Sequence, residues 1–476
     1  MAMFPVLSVR CIFFWHLRIP CLLLALLLLS ACEQKGLNTH PEAIRHEGVL
    51  RVLTLSGTGG ETYDHPVLLE RDLAKDFAQF LEVEVEFIEF VTVDEVVNAL
   101  VEGQGHMAAA GFTRTTRWEE EFDIGPAFYQ VSHQVVCRRG GVRPSSLEDL
   151  LDASLLLDSE YSLQILLQDI YPAGEVLPQW RAEPGMATEM TLQRIWEQEA
   201  DCTVAPSHLV SLNRRFFPEL TVEFTLPGTR DRVWLLPQGS EELVRFQQRW
   251  YDQLEESSRL KSLLNQYYSH VENFDYVDTR RFLYRVEHLL PQFRQLFEEA
   301  GERYEIDWRL LAAQSYQESH WNPAARSPTG VRGIMMLTLR TAGDLGIRSR
   351  LNAAQSIDGG ARYLANLRER LPEEVTDPDR TWLALAAYKV GMGHLYDARG
   401  LARELGYNPD LWSDMQEVLP LLAQPEYYRD LRFGRARGQE PVEYVTRIRN
   451  YYAILLRVLE ERDASLADIA VDELEN

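Results

Sequence analysis

The sequence predicts an α+β multidomain protein, a two-lobed α/β unit followed by an all-α unit. Three observations predict it. At 476 residues the chain exceeds what one hydrophobic core serves. Strand and helix patterns alternate from Gly48 to about Tyr268, and beyond that only helical spacing recurs. Hydrophobic residues at 46% and charged residues at 25% are ordinary for globular protein, so no large part is set aside as disordered.

At the N-terminus Arg10 and Arg18 precede an apolar run, Cys21 to Leu29, which is too short to span a bilayer as a mature helix and reads as an export signal. The run ends in Leu29-Ser30-Ala31-Cys32, and small residues before a cysteine resemble the lipobox of bacterial lipoproteins. That resemblance implies a signal peptide over residues 1–31, lipidation at Cys32 and a tether over 32–47; an uncleaved anchor is the alternative. Glu33, where aspartate would resemble an inner-membrane retention signal, favours the periplasmic face of the outer membrane.

Val49 to Leu55 is β-branched and Leu-rich, as a buried strand is, and Leu68 to Leu81 has helical period. Val83 to Phe90 alternates apolar and acidic residues like a half-buried strand. Asp94 is expected to cap a helix through Val97 and Leu100, and strands follow at His106 to Phe112 and Val131 to Arg138. This order, with Phe122-Asp123-Ile124-Gly125-Pro126 between the last two strands, resembles the type-3 periplasmic solute-binding fold, expected over residues 48–268. In that family an arginine commonly holds the ligand's carboxylate. Here Arg117, in Thr113-Arg114-Thr115-Thr116-Arg117-Trp118, stands one position early, so it is either a ligand contact or a solvated surface residue. Cys137 and Cys202 are the cysteines left to this domain. They are expected as separate buried thiols, with a bridge as the alternative in an oxidising periplasm.

Residues 269–278 form a polar-aromatic linker, and Phe282, Val286, Leu289, Leu290, Phe293, Leu296 and Phe297 then recur at helical spacing. Leu364 and Leu367, Leu383 to Ala387, Leu419 to Leu422 and Ile448 to Leu459 continue the all-α reading to about residue 460, before an acidic tail over 461–476 that is expected to fray. The formal charge of −24 weighs against a nucleic-acid partner. It is uneven: from Thr279 onward 26 Lys and Arg face 30 Asp and Glu, so −20 lies before that point. The all-α part can therefore hold an anionic polymer without strong repulsion.

Asp307 can cap a helix running through Leu310, Leu311, Ala312 and Ala313 to Glu318, which falls in the last turn at the negative end of the helix dipole. A carboxyl there, if also buried, has a raised pKa and suits a proton donor. A helical glutamate taken alone is usually a solvated surface residue. After Glu318 no further acid appears before Asp344. The intervening segment carries Gly330 and Gly333, which allow close backbone approach, and the hydroxyls of Ser327 and Thr329.

Glu318-Ser319, Gly333-Ile334-Met335-Met336, Ala387-Tyr388-Lys389 and the segment around Tyr444 resemble the four motifs of the family-1 lytic transglycosylases, which have a goose-lysozyme-like fold. The resemblance implies an all-α lysozyme-like domain over 279–460 that acts on peptidoglycan glycan strands without a metal or cofactor. It makes Glu318 the catalytic acid/base and Ser319, Ser327, Thr329, Gly333, Met335, Tyr388 and Tyr444 substrate-binding or orienting residues. Met336 stands where glutamine is usual and Lys389 where asparagine is usual. The first change is shared with a membrane-bound branch that also carries a solute-binding-like domain. Lys389 is either a charged subsite residue or a surface lysine. With one carboxylate, the expected reaction is substrate-assisted and ends in a 1,6-anhydromuramyl product. Two rivals stand beside it: a lysozyme-type hydrolase recruiting Asp344 or Asp358, and a non-catalytic cell-wall or solute receptor. A muropeptide or stem peptide is the expected effector of the N-terminal domain.

Overall fold

The computed structural model describes residues 37–56, 65–157, 170, 178–182, 186, 188–257, 259–268 and 276–475; the expected signal peptide and Cys32 lie outside them. Part of the segment expected to be a tether is helix α1 (Pro41–Glu47), which buries Ile44 and closes at Gly48 with φ 79°. Next come β1 (Val49–Leu55), α2 (His65–Phe80), β2 (Glu84–Phe90), α3 (Val93–Val101) and β3 (Met107–Thr113). β1 pairs in parallel with both β2 and β3, so α2 and α3 serve as crossovers. The cap of α3 is Thr92, not Asp94 as expected: its hydroxyl accepts from the Glu95 N–H while the Glu95 carboxylate accepts from the Thr92 N–H. This reciprocal box satisfies two orphan donors, and Asp94 lies inside the first turn.

The chain continues through α4 (Thr116–Glu121), β4 (Asp123–Ile124) and β5 (Tyr129–Val131) into a second lobe of β6 (His133–Arg138), β7 (Leu155–Leu157), β8 (Trp180–Ala182), α5 (Thr188–Trp196), β9 (Cys202–Pro206), α6 (Ser207–Arg214) and β10 (Leu220–Thr225). It returns to the first lobe with β11 (Arg230–Leu236). The first sheet runs β2-β1-β3-β11-β4, with β5 also on β11, and the second runs β10-β6-β9-β7-β8. Helices α7 (Glu241–Glu256) and α8 (Arg259–Tyr268) cover the first lobe, where the Tyr267 hydroxyl donates to Asp72 of α2 at 2.6 Å. Cys137 and Cys202 form a disulfide, correcting the expectation of two thiols. They lie opposite each other on the antiparallel pair β6 and β9, a register that a separation of 65 residues conceals.

The rest is helical: α9 (Tyr276–His288), α10 (Arg294–Tyr304), α11 (Trp308–Ser319), α12 (Leu339–Asp344), α13 (Ala353–Glu369), α14 (Asp379–Val390), α15 (Met392–Glu404), α16 (Trp412–Val418), α17 (Pro425–Tyr428) and α18 (Gln439–Glu475). Helix α18 continues through the segment expected to fray. Phe282, Phe297, Leu311, Tyr316, Trp321, Leu364, Leu385 and Ile454 meet in one core. Helix α11 lies between α10 and α18, and α14 also packs on α18. The two parts touch: Arg449 of α18 donates to the Asn265 carbonyl at 3.3 Å, Arg457 of α18 pairs with Glu189 of α5, and Lys261 of α8 lies 3.8 Å from Asp414 of α16.

Candidate active site

Asp307 opens α11 as its side chain accepts from the Arg309 N–H at 2.8 Å, and Leu310 to Tyr316 are all buried, so the helix is held on several faces. The chain turns sharply after Ser319. His320 and Trp321 both take left-handed backbone, φ 53° and 59°, and the buried Trp321 donates its indole N–H to the Ala312 carbonyl at 2.8 Å. Two consecutive non-glycine residues in that region are costly and persist only where packing imposes them. The turn leaves Glu318 in the last helical turn, facing α18 and α14.

There the Tyr444 hydroxyl donates to Glu318 Oε1 at 2.7 Å, and the buried Gln314 amide donates to the Tyr444 oxygen at 3.3 Å. Burial pushes the Glu318 carboxyl up to about 7, against the Tyr444 hydrogen bond and the Lys389 charge, which both favour the carboxylate. Burial, and then the Glu318 charge, hold the Tyr388 and Tyr444 phenols well above their ordinary range, so both are neutral donors. Tyr388 donates to the Met335 carbonyl at 3.0 Å.

The loop after α11 backs this pair. The Ser319 and Ser315 hydroxyls donate to one acceptor, the Ile334 carbonyl, at 2.7 and 3.1 Å. Gly333 has φ 88°, and a Cβ there would lie 1.8 Å from the Arg350 carbonyl oxygen, so only glycine fits. The Met335 side chain is fully buried against Gly360, and its link to the site is its backbone carbonyl. Ser327 and Thr329 bond each other at 2.8 Å on an exposed stretch, with no hydrogen bond to Glu318. The structure thus joins Glu318 directly to Tyr444 and sets Ser319, Gly333, Met335 and Tyr388 behind them. Sequence reasoning missed Gln314, although its position four residues before Glu318 puts both on one helix face.

Asp358 is bound by Arg303 and by the Tyr304 hydroxyl at 3.1 Å, and the exposed Asp344 lies 3.9 Å from Arg340. Neither carboxylate adds to the causes that set the Glu318 proton affinity. In the N-terminal domain Arg117 lies on α4, partly exposed, paired with Glu121 at 3.1 Å and set over the Trp118 ring. A buried guanidinium of that lobe is instead Arg232 on β11, which donates to the Thr113 hydroxyl at 2.9 Å. Among the described residues no three His, Cys, Asp or Glu side chains converge as a metal ion would need.

Residues 295–410 match the family Transglycosylase SLT domain, and residues 69–270 match Bacterial extracellular solute-binding proteins, family 3. The chain is 44% identical over 441 residues to membrane-bound lytic murein transglycosylase F of Maricaulis maris, covering 91% of this chain and 96% of that one. It is 42% identical over 442 residues to membrane-bound lytic murein transglycosylase F 2 of Alkalilimnicola ehrlichii, covering 91% and 97%. To the F protein of Aliivibrio fischeri it is 40% identical over 478 residues, covering 96% and 93%. With both domains matched in order and the likeness spanning nearly the whole of each relative, the chain belongs to the membrane-bound lytic murein transglycosylase F family.

Proposed function

We propose that this chain is a peptidoglycan lytic transglycosylase in which Glu318 is the one acid/base. The observation that carries the reading is the Glu318–Tyr444 pair: a carboxyl pushed up to about 7, held by a neutral phenol, with no second carboxylate bonded to it among the described residues. Near neutral pH such a carboxyl is protonated in a large fraction of molecules. It donates that proton to the oxygen of the MurNAc–GlcNAc bond while the 2-acetamido group of the muramyl sugar supports the developing positive centre at C1. The resulting carboxylate then takes the proton of the C6 hydroxyl, whose oxygen closes on C1. The proton count balances, no water enters, and the product ends in 1,6-anhydroMurNAc. Tyr444 orients the acid, Tyr388 holds the Met335 carbonyl, and Ser319 pins the loop at the Ile334 carbonyl.

The same reading divides the chain into a signal peptide over 1–31, a solute-binding-like domain over 48–268 and a catalytic domain over 279–460. It lipidates Cys32 to hold the protein on the periplasmic face of the outer membrane. Among the described residues no helix is long and apolar enough to cross a membrane. The N-terminal domain takes a wall fragment such as a stem peptide and adjusts the catalytic domain, supported by contacts that place Arg449 and Arg457 of the Tyr444-bearing helix against it. The test of the acid is Glu318→Gln, whose amide cannot give and then take a proton. The variant is expected to bind purified wall as the parent does while turnover falls by at least about 1,000-fold. Turnover retained within about tenfold would remove Glu318 from its role.

A further inference from the structure

Lys389 lies in the last turn of α14, one residue after Tyr388, and its side chain is exposed. The ammonium sits 5.6 Å from the centroid of the Tyr444 ring, the ring whose hydroxyl holds Glu318. A lysine in a last helical turn is favoured by the helix dipole, which accounts for a cation here but not for its place over this ring. Among the described residues no carboxylate forms an ion pair with Lys389 and no acceptor takes a hydrogen bond from it. Its three N–H donors are therefore open to a group arriving from solvent, over the ring of the residue that holds the acid.

The substrate of the proposed reaction supplies such a group. Each muramyl sugar bears a lactyl ether, whose carboxylate is free in strands stripped of peptide; in peptide-bearing strands that carboxyl is amidated, but the peptide carries carboxylates of its own. We infer that Lys389 is a specificity-determining residue that binds a carboxylate carried on the muramyl side of the glycan, and so selects anionic strands. The inference rests on the reading of the chain as a peptidoglycan lyase. A compact ammonium suits this task because it accepts a carboxylate from several directions, as the two sources of that carboxylate require. The same charge acts on Glu318 together with the groups facing that carboxyl, Tyr444 from α18 and Tyr388 from α14, and it favours the ionised form.

The test measures binding first, so that it does not depend on turnover. In a Glu318→Gln background of the full mature chain, Lys389→Asn is compared with Lys389→Arg on three soluble glycan preparations. These are stripped strands with free lactyl carboxylates, strands bearing stem peptides, and strands whose carboxyls have all been amidated. Lys389→Asn is expected to weaken binding of carboxylate-bearing strands about tenfold, leave the amidated strands unchanged, and be rescued by Lys389→Arg. Loss confined to stripped strands assigns the lactyl carboxylate, and loss confined to peptide-bearing strands assigns the peptide. Equal affinities of parent and Lys389→Asn on all three overturn the inference. With Glu318 restored, Lys389→Asn is expected to keep turnover up to a higher pH than the parent, a shift that a merely structural lysine would not produce. A chain that releases no anhydro ends even with Glu318 and Lys389 intact would refute the lyase reading and leave the binding comparison standing.

Discussion

Glu318 is a carboxyl whose surroundings oppose one another: burial favours the neutral acid, and the Tyr444 hydroxyl and Lys389 favour the carboxylate. As the proposed general acid it works while protonated, so turnover is expected to fall as pH rises through about 7. Tyr444→Phe removes a hydrogen bond to the charged form, which raises the affinity for the proton and moves that fall to higher pH. It also frees the acid to rotate, and a drop in kcat of about tenfold or more is expected. A pH–rate profile of the variant checks both, and an unchanged profile would remove Tyr444 from the site. Stability follows the same shift. Glu318 has a folded pKa above its ordinary 4.5, so its contribution is fully present below that value and is lost as pH rises through about 7. Glu318→Gln is thus expected to be more stable than the parent at pH 8, on the order of 3 kcal/mol, and equal to it near pH 4. Melting curves at the two pH values measure this. Glu318, Tyr388 and Tyr444 stand out in the sequence because each lies in a short motif, and the structure joins Tyr444 to Glu318. The stacking of Lys389 on Tyr444 does not stand out there, because it joins two helices 55 positions apart in sequence.

At the scale of elements, the site depends on how α11 stops. The left-handed pair His320 and Trp321 and the loop pinned by Ser315 and Ser319 fix where Glu318 points. The turn at Gly333 locks that loop. Gly333→Ala sets a methyl against the Arg350 carbonyl and forces strained backbone, so a loss of about 2–4 kcal/mol in denaturant unfolding is expected, with turnover falling alongside it. An alanine variant as stable as the parent would show that the turn relaxes freely. Helix α11 was readable from its Asp307 cap and apolar run, and β1, β2 and β3 from their residue types and alternation. The α3 cap was misread because Asp94 draws attention as an acid, whereas the Thr92 and Glu95 spacing carries the reciprocal bonds. The Met335 motif position was legible, but not that its side chain turns inward and leaves only its carbonyl to the site.

For the whole molecule, α18 is the element that belongs to both parts: it carries Tyr444 to Glu318, sends Arg449 to the Asn265 carbonyl and pairs Arg457 with Glu189. Arg457 also lies over the Phe216 and Phe217 rings, at 4.3 and 5.0 Å. On the proposed reading, a ligand that shifts the second lobe acts through these contacts on the helix that carries Tyr444. Added stem peptides are expected to change turnover of the full mature chain by roughly 5- to 150-fold, and Arg457→Ala to lose that response. Peptides without effect on the parent would reduce the N-terminal domain to a spacer. The two-domain plan was legible from the change in periodicity near Tyr268, but the Cys137–Cys202 bridge and the docking of α18 were not. Both depend on contacts between residues distant in sequence, which no local pattern encodes. The central claim is that Glu318 alone drives an intramolecular ring closure. Its most direct test is digestion of purified wall in water enriched in oxygen-18, with mass spectra of the released fragments. Ring closure yields 1,6-anhydromuramyl ends that carry no label, each lighter by one water than a hydrolysis product. Reducing ends that carry the heavy oxygen would contradict it.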